Sequence, residues 1–228
     1  RSHADYAACV RLQRETWGET FSETVPPAIL QVAQKVGGIA GGAFDGNQLV
    51  GFVFGITGIQ DGAPVHWSDM LAVRASHQNR RIGEQLKWYQ RDLLLERGIT
   101  RALWTFDPLQ TKNAHINFAR LGITAREYVI DMYGETDSPL HAAGTDRLIA
   151  IWDLTSERVR ARAQNRTPRP YPVDVRIEIP AVAGNIEELR AQTRAEFTRY
   201  LPDYVVTDFV RGEKSAYYAL TSGPSLSR

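Results

Sequence analysis

Residues 65–98 carry the feature that most limits the fold, because a β-rich run, a tight polar loop and an amphipathic helix follow one another. The run VHWSDMLAV (65–73) is typical of a strand, and EQLKWYQRDLLLERG (84–98) predicts a helix that ends at Gly98. First-turn N–H groups of such a helix have no intrahelical acceptor, and the helix dipole adds positive charge there. The loop RASHQNRRIG (74–83) therefore predicts an anion site.

The remaining pattern predicts an α/β (α+β) fold with a mixed, mostly antiparallel central sheet flanked by helices. Asp45-Gly46 between two apolar runs is a hairpin signal. The other predicted elements are helices at 4–18, 28–36 and near 113–122, and strands at 101–106, 125–134 and 146–154.

Three regions are predicted along the chain. Residues 1–155 would form the main domain, and the segment 156–172, rich in arginine and proline, predicts a solvated linker. Residues 173–228 show a β-α-β-β pattern whose helix begins at Asn185. This extension is too small for an independent core, so we expect it to pack on the main domain or on a second copy in a homodimer.

Charge and composition exclude several partners. Lys+Arg of 27 against Asp+Glu of 26 gives a net charge of +1, which offers no general attraction for nucleic acid or an anionic membrane. The apolar runs are far shorter than the roughly 20 residues that span a bilayer. Cys9 is the single cysteine and the chain begins with polar residues, so we expect a cytoplasmic protein. His115 and His141 lack metal-ligand spacing, and no metal is predicted.

The loop also carries a resemblance. The run Gln78-Asn79-Arg80-Arg81-Ile82-Gly83, after a strand ending in Leu71-Ala72-Val73, resembles the Q/R-x-x-G-x-G/A pyrophosphate loop of the GCN5-related N-acetyltransferase (GNAT) superfamily. The order of elements over residues 4–154 is similar too. The segments WTFDPLQTKNAHINFARLG, YVIDMYG and TDRLIAIWDL, together with the C-terminal strands, resemble a bacterial branch of predicted acetyltransferases, over nearly the full chain.

This resemblance implies the acyl-CoA N-acyltransferase fold, with acetyl-CoA or another acyl-CoA as co-substrate. Backbone groups of the strand end would pair with the pantetheine arm, and loop N–H groups would bind the pyrophosphate. Arg81 stands where the superfamily usually has its first glycine. The implied coenzyme-binding residues are Leu71, Ala72, Val73, Gln78, Asn79, Arg80, Arg81, Ile82, Gly83, Glu84 and Asn113.

Acyl transfer to an amine needs a base, and an acid for the departing thiolate is helpful. Asp69 lies where some relatives place a base glutamate, although it could instead pair with a cation. Phe118 occupies the place of the usual tyrosine acid, so the thiolate would leave with help from water, from Tyr133 or from no acid. Asn117, beside an apolar helical stripe, is a candidate ligand contact or a local cap.

Three further residues are implied at the acceptor end: Trp104, Asp107 and Arg147. Trp104 also fits a core position in its strand. Arg147 could hold a carboxylate by two parallel hydrogen bonds, which suits an amino-acid acceptor or a succinyl-type donor, or it could form a salt bridge with Asp146 or Asp107.

The sequence thus predicts an N-acyltransferase that transfers an acetyl or succinyl-type group to a primary amine of a small molecule, with an amino acid as one candidate. The alternatives are a non-catalytic acyl-CoA sensor and an interaction protein that uses the C-terminal extension.

Overall fold

The structure is a computed structural model that describes residues 2–134, 144–180, 185–212 and 215–222. Over these residues, the helices are α1 (His3–Trp17), α2 (Pro27–Lys35), α3 (Ile82–Glu96), α4 (Thr111–His115), α5 (Glu157–Ala163) and α6 (Ile186–Tyr200). The strands are β1 (Ile39–Asp45), β2 (Gln48–Gln60), β3 (Ala63–Val73), β4 (Arg101–Phe106), β5 (Thr124–Val129), β6 (Arg147–Asp153), β7 (Val175–Pro180), β8 (Tyr204–Arg211) and β9 (Ser215–Ser222). The predicted α/β class is confirmed.

The described residues form two compact units: an N-terminal unit of residues 2–103 and a C-terminal unit of residues 104–134, 144–180, 185–212 and 215–222. In the N-terminal unit the strand order is β1-β2-β3-β4, with antiparallel β1/β2 and β2/β3 pairs and a parallel β3/β4 pair. The predicted hairpin is confirmed, since Asp45 pairs with Gln48 across it. Strand β4 begins in the N-terminal unit and continues past Leu103 into the C-terminal unit.

Helices cover both faces of the N-terminal sheet. On one face α1 and α2 enclose a core with Leu12 and Leu30 against Phe52 and Phe54 of β2. Successive strand residues point to opposite faces, so Gly51 belongs to the other face, where α3 packs. A Cβ built at Gly51 would lie 3.1 Å from Leu86 Cδ1, so the glycine permits α3 to approach β2 closely.

In the C-terminal unit the order is β6-β5-β8-β9-β7. The antiparallel pairs β5/β6, β8/β9 and β7/β9 form most of it, and β8 joins β5 at Ala125↔Val206. Aromatic rings fill its core around Tyr218 of β9, whose ring centroid lies 4.7 Å from Phe209, 5.2 Å from Phe197 and 5.9 Å from Phe118. The β-α-β-β extension therefore supplies core side chains as well as strands.

The segment 156–172 differs in one respect from the predicted solvated linker, because it contains α5, with Ser156 as its N-cap. Arg158 is buried and forms a 2.9 Å ion pair with Asp208 of β8. The prediction of a fully solvated arginine run was wrong at Arg158, since the partner comes from a strand 50 residues later. Arg160, Arg166 and Arg169 are exposed.

No described helix combines the length and apolar character needed to cross a membrane. His141 lies outside the described residues. The predicted domain boundary at residue 155 stays a prediction.

Candidate active site

The predicted anion loop joins β3 to α3. A 3-10 turn, Ala75–His77, follows the strand, and the Gln78 side-chain amide donates to the Val73 carbonyl at 3.2 Å. Asn79 and Arg81 both have positive φ angles, 63° and 62°. Left-handed residues in such a short loop turn successive N–H groups inward, as in the nests that bind anions.

Helix α3 begins after this loop without a side-chain cap. By contrast, Ser2, Ser156 and Asn185 each cap their helix with a side-chain oxygen. The first-turn N–H groups of α3 have no acceptor within the helix, and Gln78, Asn79 and Arg80 are exposed. The start of α3 and the loop before it thus present backbone N–H groups at an exposed surface, with no side-chain cap on the helix.

The two adjacent arginines have different environments. Arg81 is the left-handed residue before α3, and its guanidinium binds Glu84 through Nε–Oε2 at 3.1 Å and Nη2–Oε1 at 2.8 Å. This pair offsets the negative charge that Glu84 brings to the helix start. Arg80 is exposed and contacts no carboxylate within the described residues, which leaves its charge available to an anion.

The end of β3 offers its backbone away from β2. The Arg74 N–H donates to the Val50 carbonyl, so the N–H and C=O groups of Val73 and Leu71, at alternate positions, point to the other side. Pairing with β4 is limited to His66↔Ala102 and Trp67↔Leu103 among the described residues. The backbone groups of Leu71 and the N–H of Val73 are therefore suited to an extended, amide-bearing ligand, whereas the Val73 carbonyl already accepts from the Gln78 side chain.

A β-bulge lies just before this end. Phe54 pairs with Met70 and Ile56 with Trp67, so Gly55 of β2 faces two residues of β3, Ser68 and Asp69. A bulge bends and twists its strand locally. It occurs directly after the last β3/β4 pair, and its position could not be read from the sequence because it depends on the register with β2.

Asp69, the predicted base, projects from the bulge. Its side chain is exposed, yet the surrounding protein raises the pKa of the carboxyl through desolvation, and the charge of Glu23 raises it further. We attribute the desolvation to neighbouring atoms around the carboxyl rather than to full burial. A hydrogen bond with Trp67 acts in the opposite direction. A raised pKa brings this carboxyl group closer to the pKa that suits a general base at neutral pH.

In the C-terminal unit, two of the predicted site residues, Tyr133 and Asp107, lie near Arg147. Its guanidinium lies 5.3 Å from the centre of the Tyr133 ring and donates to the Asp146 carbonyl at 2.8 Å. The Tyr133 hydroxyl is 2.8 Å from Thr105 Oγ1. Burial lowers the pKa of Arg147, and the charge of Asp107 opposes this effect. Arg147, Tyr133 and Asp107 thus share one electrostatic neighbourhood.

The salt bridges considered for Arg147 are absent within the described residues, because α6 supplies other partners. Asp107 binds Arg190 at 2.9 and 3.3 Å, and Asp146 binds Arg194 at 2.8 and 2.9 Å. The sequence analysis missed Arg190 and Arg194. Arg190 directly follows the apolar residue Leu189 in α6, and only the fold shows that Arg190 is buried as well.

The sequence of the N-terminal half is similar to that of a known family. The sequence model described as "Acetyltransferase (GNAT) family" matches residues 6–123, more than half of the chain.

The chain belongs to this family.

Solved structures with the same fold include the ribosomal-protein-S18-alanine N-acetyltransferase from Escherichia coli, with TM-score 0.53 and 14% identity over 68% of this chain and 92% of that one. The protein yncA from Salmonella typhimurium, solved with its cofactor acetyl-CoA, has TM-score 0.54 and 17% identity over 69% and 92%. Aminoglycoside 6'-acetyltransferase type Ii has TM-score 0.52 and 18% identity over 67% and 91%. A search of curated proteins finds no match. The predicted acyltransferase class is confirmed.

Within this GNAT chain, the helix after β4 keeps no tyrosine acid. Phe118 is fully buried in a π-helical turn, Ile116–Leu121, and its ring packs edge-on against Phe106 and Tyr218. Asn117 is buried in the same turn and Asn113 is exposed on α4. Turns of this kind often occur at functional sites. Trp104 packs edge-on against Trp152, 5.7 Å away, so its position is that of a core residue.

Two further kinds of site were considered within the described residues, a reactive thiol and a metal centre. Burial raises the pKa of the Cys9 thiol to about 11, so this side chain is protonated at neutral pH. Among the described residues, no group of three or more His, Cys, Asp or Glu side chains is arranged to hold a metal ion.

Proposed function

We propose that this GNAT protein transfers an acyl group from acyl-CoA to a primary amine of a small molecule by direct attack in a ternary complex. The observation that carries the proposal is the uncapped start of α3, preceded by a loop with two left-handed residues and an exposed Arg80. A coenzyme pyrophosphate is an anion of the size and charge that such a set of donors binds.

The proposed path of the coenzyme follows the chain. Its pyrophosphate binds the N–H groups from Asn79 to Glu84, and its amide-bearing arm pairs with the backbone of Leu71 and Val73. Leu71 also exposes 37% of its surface, which offers apolar contact beside these polar groups. The acyl thioester then lies near the β3 bulge.

In the proposed reaction, Asp69 accepts a proton from the acceptor ammonium, directly or through water. The neutral amine attacks the thioester carbonyl, the carbon–sulfur bond breaks, the nitrogen releases its second proton to water, and an amide and coenzyme A thiolate form. The thiolate gains a proton from Tyr133 or water, since Phe118 cannot supply one. A thiolate with a pKa of about 8.5 is an acceptable leaving group without an acid.

The proposed acceptor is an amine that also bears a carboxylate, with an amino acid as the candidate. Arg147 supports this choice, because its guanidinium donates to backbone carbonyls and forms no ion pair with a described carboxylate. The same group suits a succinyl-type donor. A cytoplasmic location and a homodimer stay predictions.

Calorimetry with acetyl-CoA and succinyl-CoA tests the first step, and thiol release with a panel of primary amines and amino acids tests the second. We expect binding of at least one acyl-CoA, and turnover that requires an amine. Absence of binding to both donors would contradict the proposal. Binding without turnover across the panel would favour a non-catalytic acyl-CoA sensor, an alternative that the buried Phe118 supports.

A further inference from the structure

A hydrogen-bonded row of buried side chains lies between α3 and the strands β2 and β3. We call it the buried chain, and its members are Lys87, Ser68, Gln90, His66 and Thr57. Lys87 Nζ is 2.7 Å from Ser68 Oγ, which is 3.0 Å from Gln90 Oε1. Gln90 Nε2 is 3.0 Å from His66 Nε2, and His66 Nδ1 is 3.1 Å from Thr57 Oγ1.

Every hydrogen bond of the buried chain has one direction. Lys87 donates to Ser68, Ser68 to Gln90, and Gln90 to His66. Burial, followed by the charges of Lys87 and Arg97, lowers the pKa of His66 to about 3, so the ring is neutral. Its proton then lies on Nδ1 and is donated to Thr57, which donates to the Gly37 carbonyl at 2.9 Å.

The far end of the buried chain is fixed by close packing. A Cβ at Gly55 would lie 2.3 Å from His66 Nε2 and 2.5 Å from the Trp67 carbonyl oxygen, so only glycine leaves room for the imidazole. Arg97, just after α3, donates to the carbonyls of Gly37 and Gly38 at 2.8 and 2.9 Å. The buried chain thus starts at Lys87 on α3 and ends at the Gly37 carbonyl, which Arg97, the residue after α3, also binds.

Burial of the Lys87 amine lowers the stability of the folded protein. Its exposed fraction is 4%, and an amine withdrawn from water loses most of its hydration. A methionine has similar length and would fill this volume without that cost. The buried chain meets β3 at two residues, His66 in the β3/β4 pair and Ser68 in the bulge. The buried chain therefore contacts β3 at the bulge, in addition to packing beneath α3.

We propose that Lys87 is a positioning residue for acyl transfer: by holding Ser68 it fixes the β3 bulge, and with it the direction of the backbone from Asp69 to Val73. The inference rests on the proposed function, because that backbone is the part of β3 assigned to the arm and the thioester. Lys87 itself touches neither.

The test compares Lys87→Met with Leu86→Ala, which removes the neighbouring buried side chain of α3 and leaves every hydrogen bond of the buried chain in place. Assays are run well below the unfolding midpoint of both variants. In Lys87→Met we expect kcat to fall about tenfold to a hundredfold, the cost of misplacing reacting groups by a fraction of an ångström to an ångström. KM for acetyl-CoA should change by a smaller factor than kcat, because the α3 loop that binds the pyrophosphate is untouched and only the arm contacts at Leu71 and Val73 are disturbed.

Two further measurements separate positioning from general loosening. Amide hydrogen exchange in peptides covering residues 66–74 should be faster in Lys87→Met than in Leu86→Ala. Ser68→Ala should also lower kcat, and the Lys87→Met/Ser68→Ala double variant should lose less than the sum of the single losses, since both changes break the Lys87–Ser68 link and only the longer 3.4 Å contact of Lys87 with Gln90 is lost separately.

Equal kcat values for Lys87→Met and Leu86→Ala, with an active wild-type protein, would overturn this inference and leave the proposed function intact. Additive losses in the double variant would also overturn it. A wild-type protein that binds no acyl-CoA or never turns over refutes the proposed function, and the inference falls with it.

Discussion

At the scale of single residues, Arg81 occupies a left-handed position of the kind that usually favours glycine. Its φ of 62° costs a residue with a Cβ about 1 kcal/mol, and solvent screens its ion pair with Glu84 because the Arg81 side chain is exposed. We expect Arg81→Gly to change the free energy of unfolding by between about 0 and +1 kcal/mol in urea titrations.

The adjacent Arg80→Gly is the matched control. Arg80 has no positive φ, so glycine there only adds freedom to the unfolded chain and should lower stability. If both glycine variants lose the same stability, the left-handed angle at residue 81 does not hold in solution.

Lys87 gives a second residue-scale prediction, on pH and stability. Burial lowers its pKa from 10.5 to about 7 in the folded protein. Between these values the unfolded chain binds more protons, so this group makes stability rise with pH, by up to about 1.4 kcal/mol per unit, and is most unfavourable at and below pH 7. Lys87→Met should lack this rise and be more stable than wild type near pH 7.

The measurement is a set of urea titrations between pH 6 and 9.5, reported as the difference between wild type and variant so that other groups cancel. A constant difference over this range would show that Lys87 titrates normally. A stabilised variant that is also slow would separate the positioning role from folding.

At the scale of elements, the start of α3 allows ligand binding and stability to be separated at Gly83. A Cβ there would lie 3.5 Å from Leu71 Cδ2 and 3.7 Å from Val73 Cγ2, which are ordinary contacts, and its φ is not positive. Gly83→Ala should therefore keep or raise stability, by up to about 1 kcal/mol. Its methyl group stands at the N–H donors proposed for the pyrophosphate, so calorimetry should show weaker acyl-CoA binding. Undiminished affinity would place the coenzyme elsewhere.

Elements set by local signals were predictable, and features set by distant pairing were not. Strand β4 was predicted with its observed bounds because Asp107-Pro108 ends it, and the loop before α3 was identified by its own residues. The bulge depends on the register between β2 and β3. Gln90 completes the i, i+4 row of Leu86 and Leu94, a signal that a polar residue was buried, but its partner His66 lies on another element.

At the scale of the whole molecule, the C-terminal extension supplies core residues and ion-pair partners of the C-terminal unit. Arg190 and Arg194 of α6 bind the carboxylates of Asp107 and Asp146, two residues that the sequence alone assigned to the acceptor end or to Arg147. The extension thereby leaves Arg147 without a carboxylate partner in the described part of the chain. Folding of the extension therefore keeps Asp107 and Asp146 paired with α6, so that the Arg147 guanidinium can bind a carboxylate of a ligand.

Tyr218 tests whether the extension is part of the core. Its hydroxyl donates to the Pro108 carbonyl at 2.6 Å and its ring contacts three other aromatic rings. Tyr218→Phe keeps the rings and leaves one carbonyl unsatisfied, so it should cost about 1–3 kcal/mol of unfolding free energy. Tyr218→Ala also opens a cavity among the rings and should cost about 3–5 kcal/mol or more.

Denaturation followed by tryptophan fluorescence measures the unfolding free energy of both variants. If alanine costs no more than phenylalanine, the rings are not packed together and the extension is an appendage. If it costs more, truncation before residue 173 removes part of the core and should unfold the unit that carries Arg147.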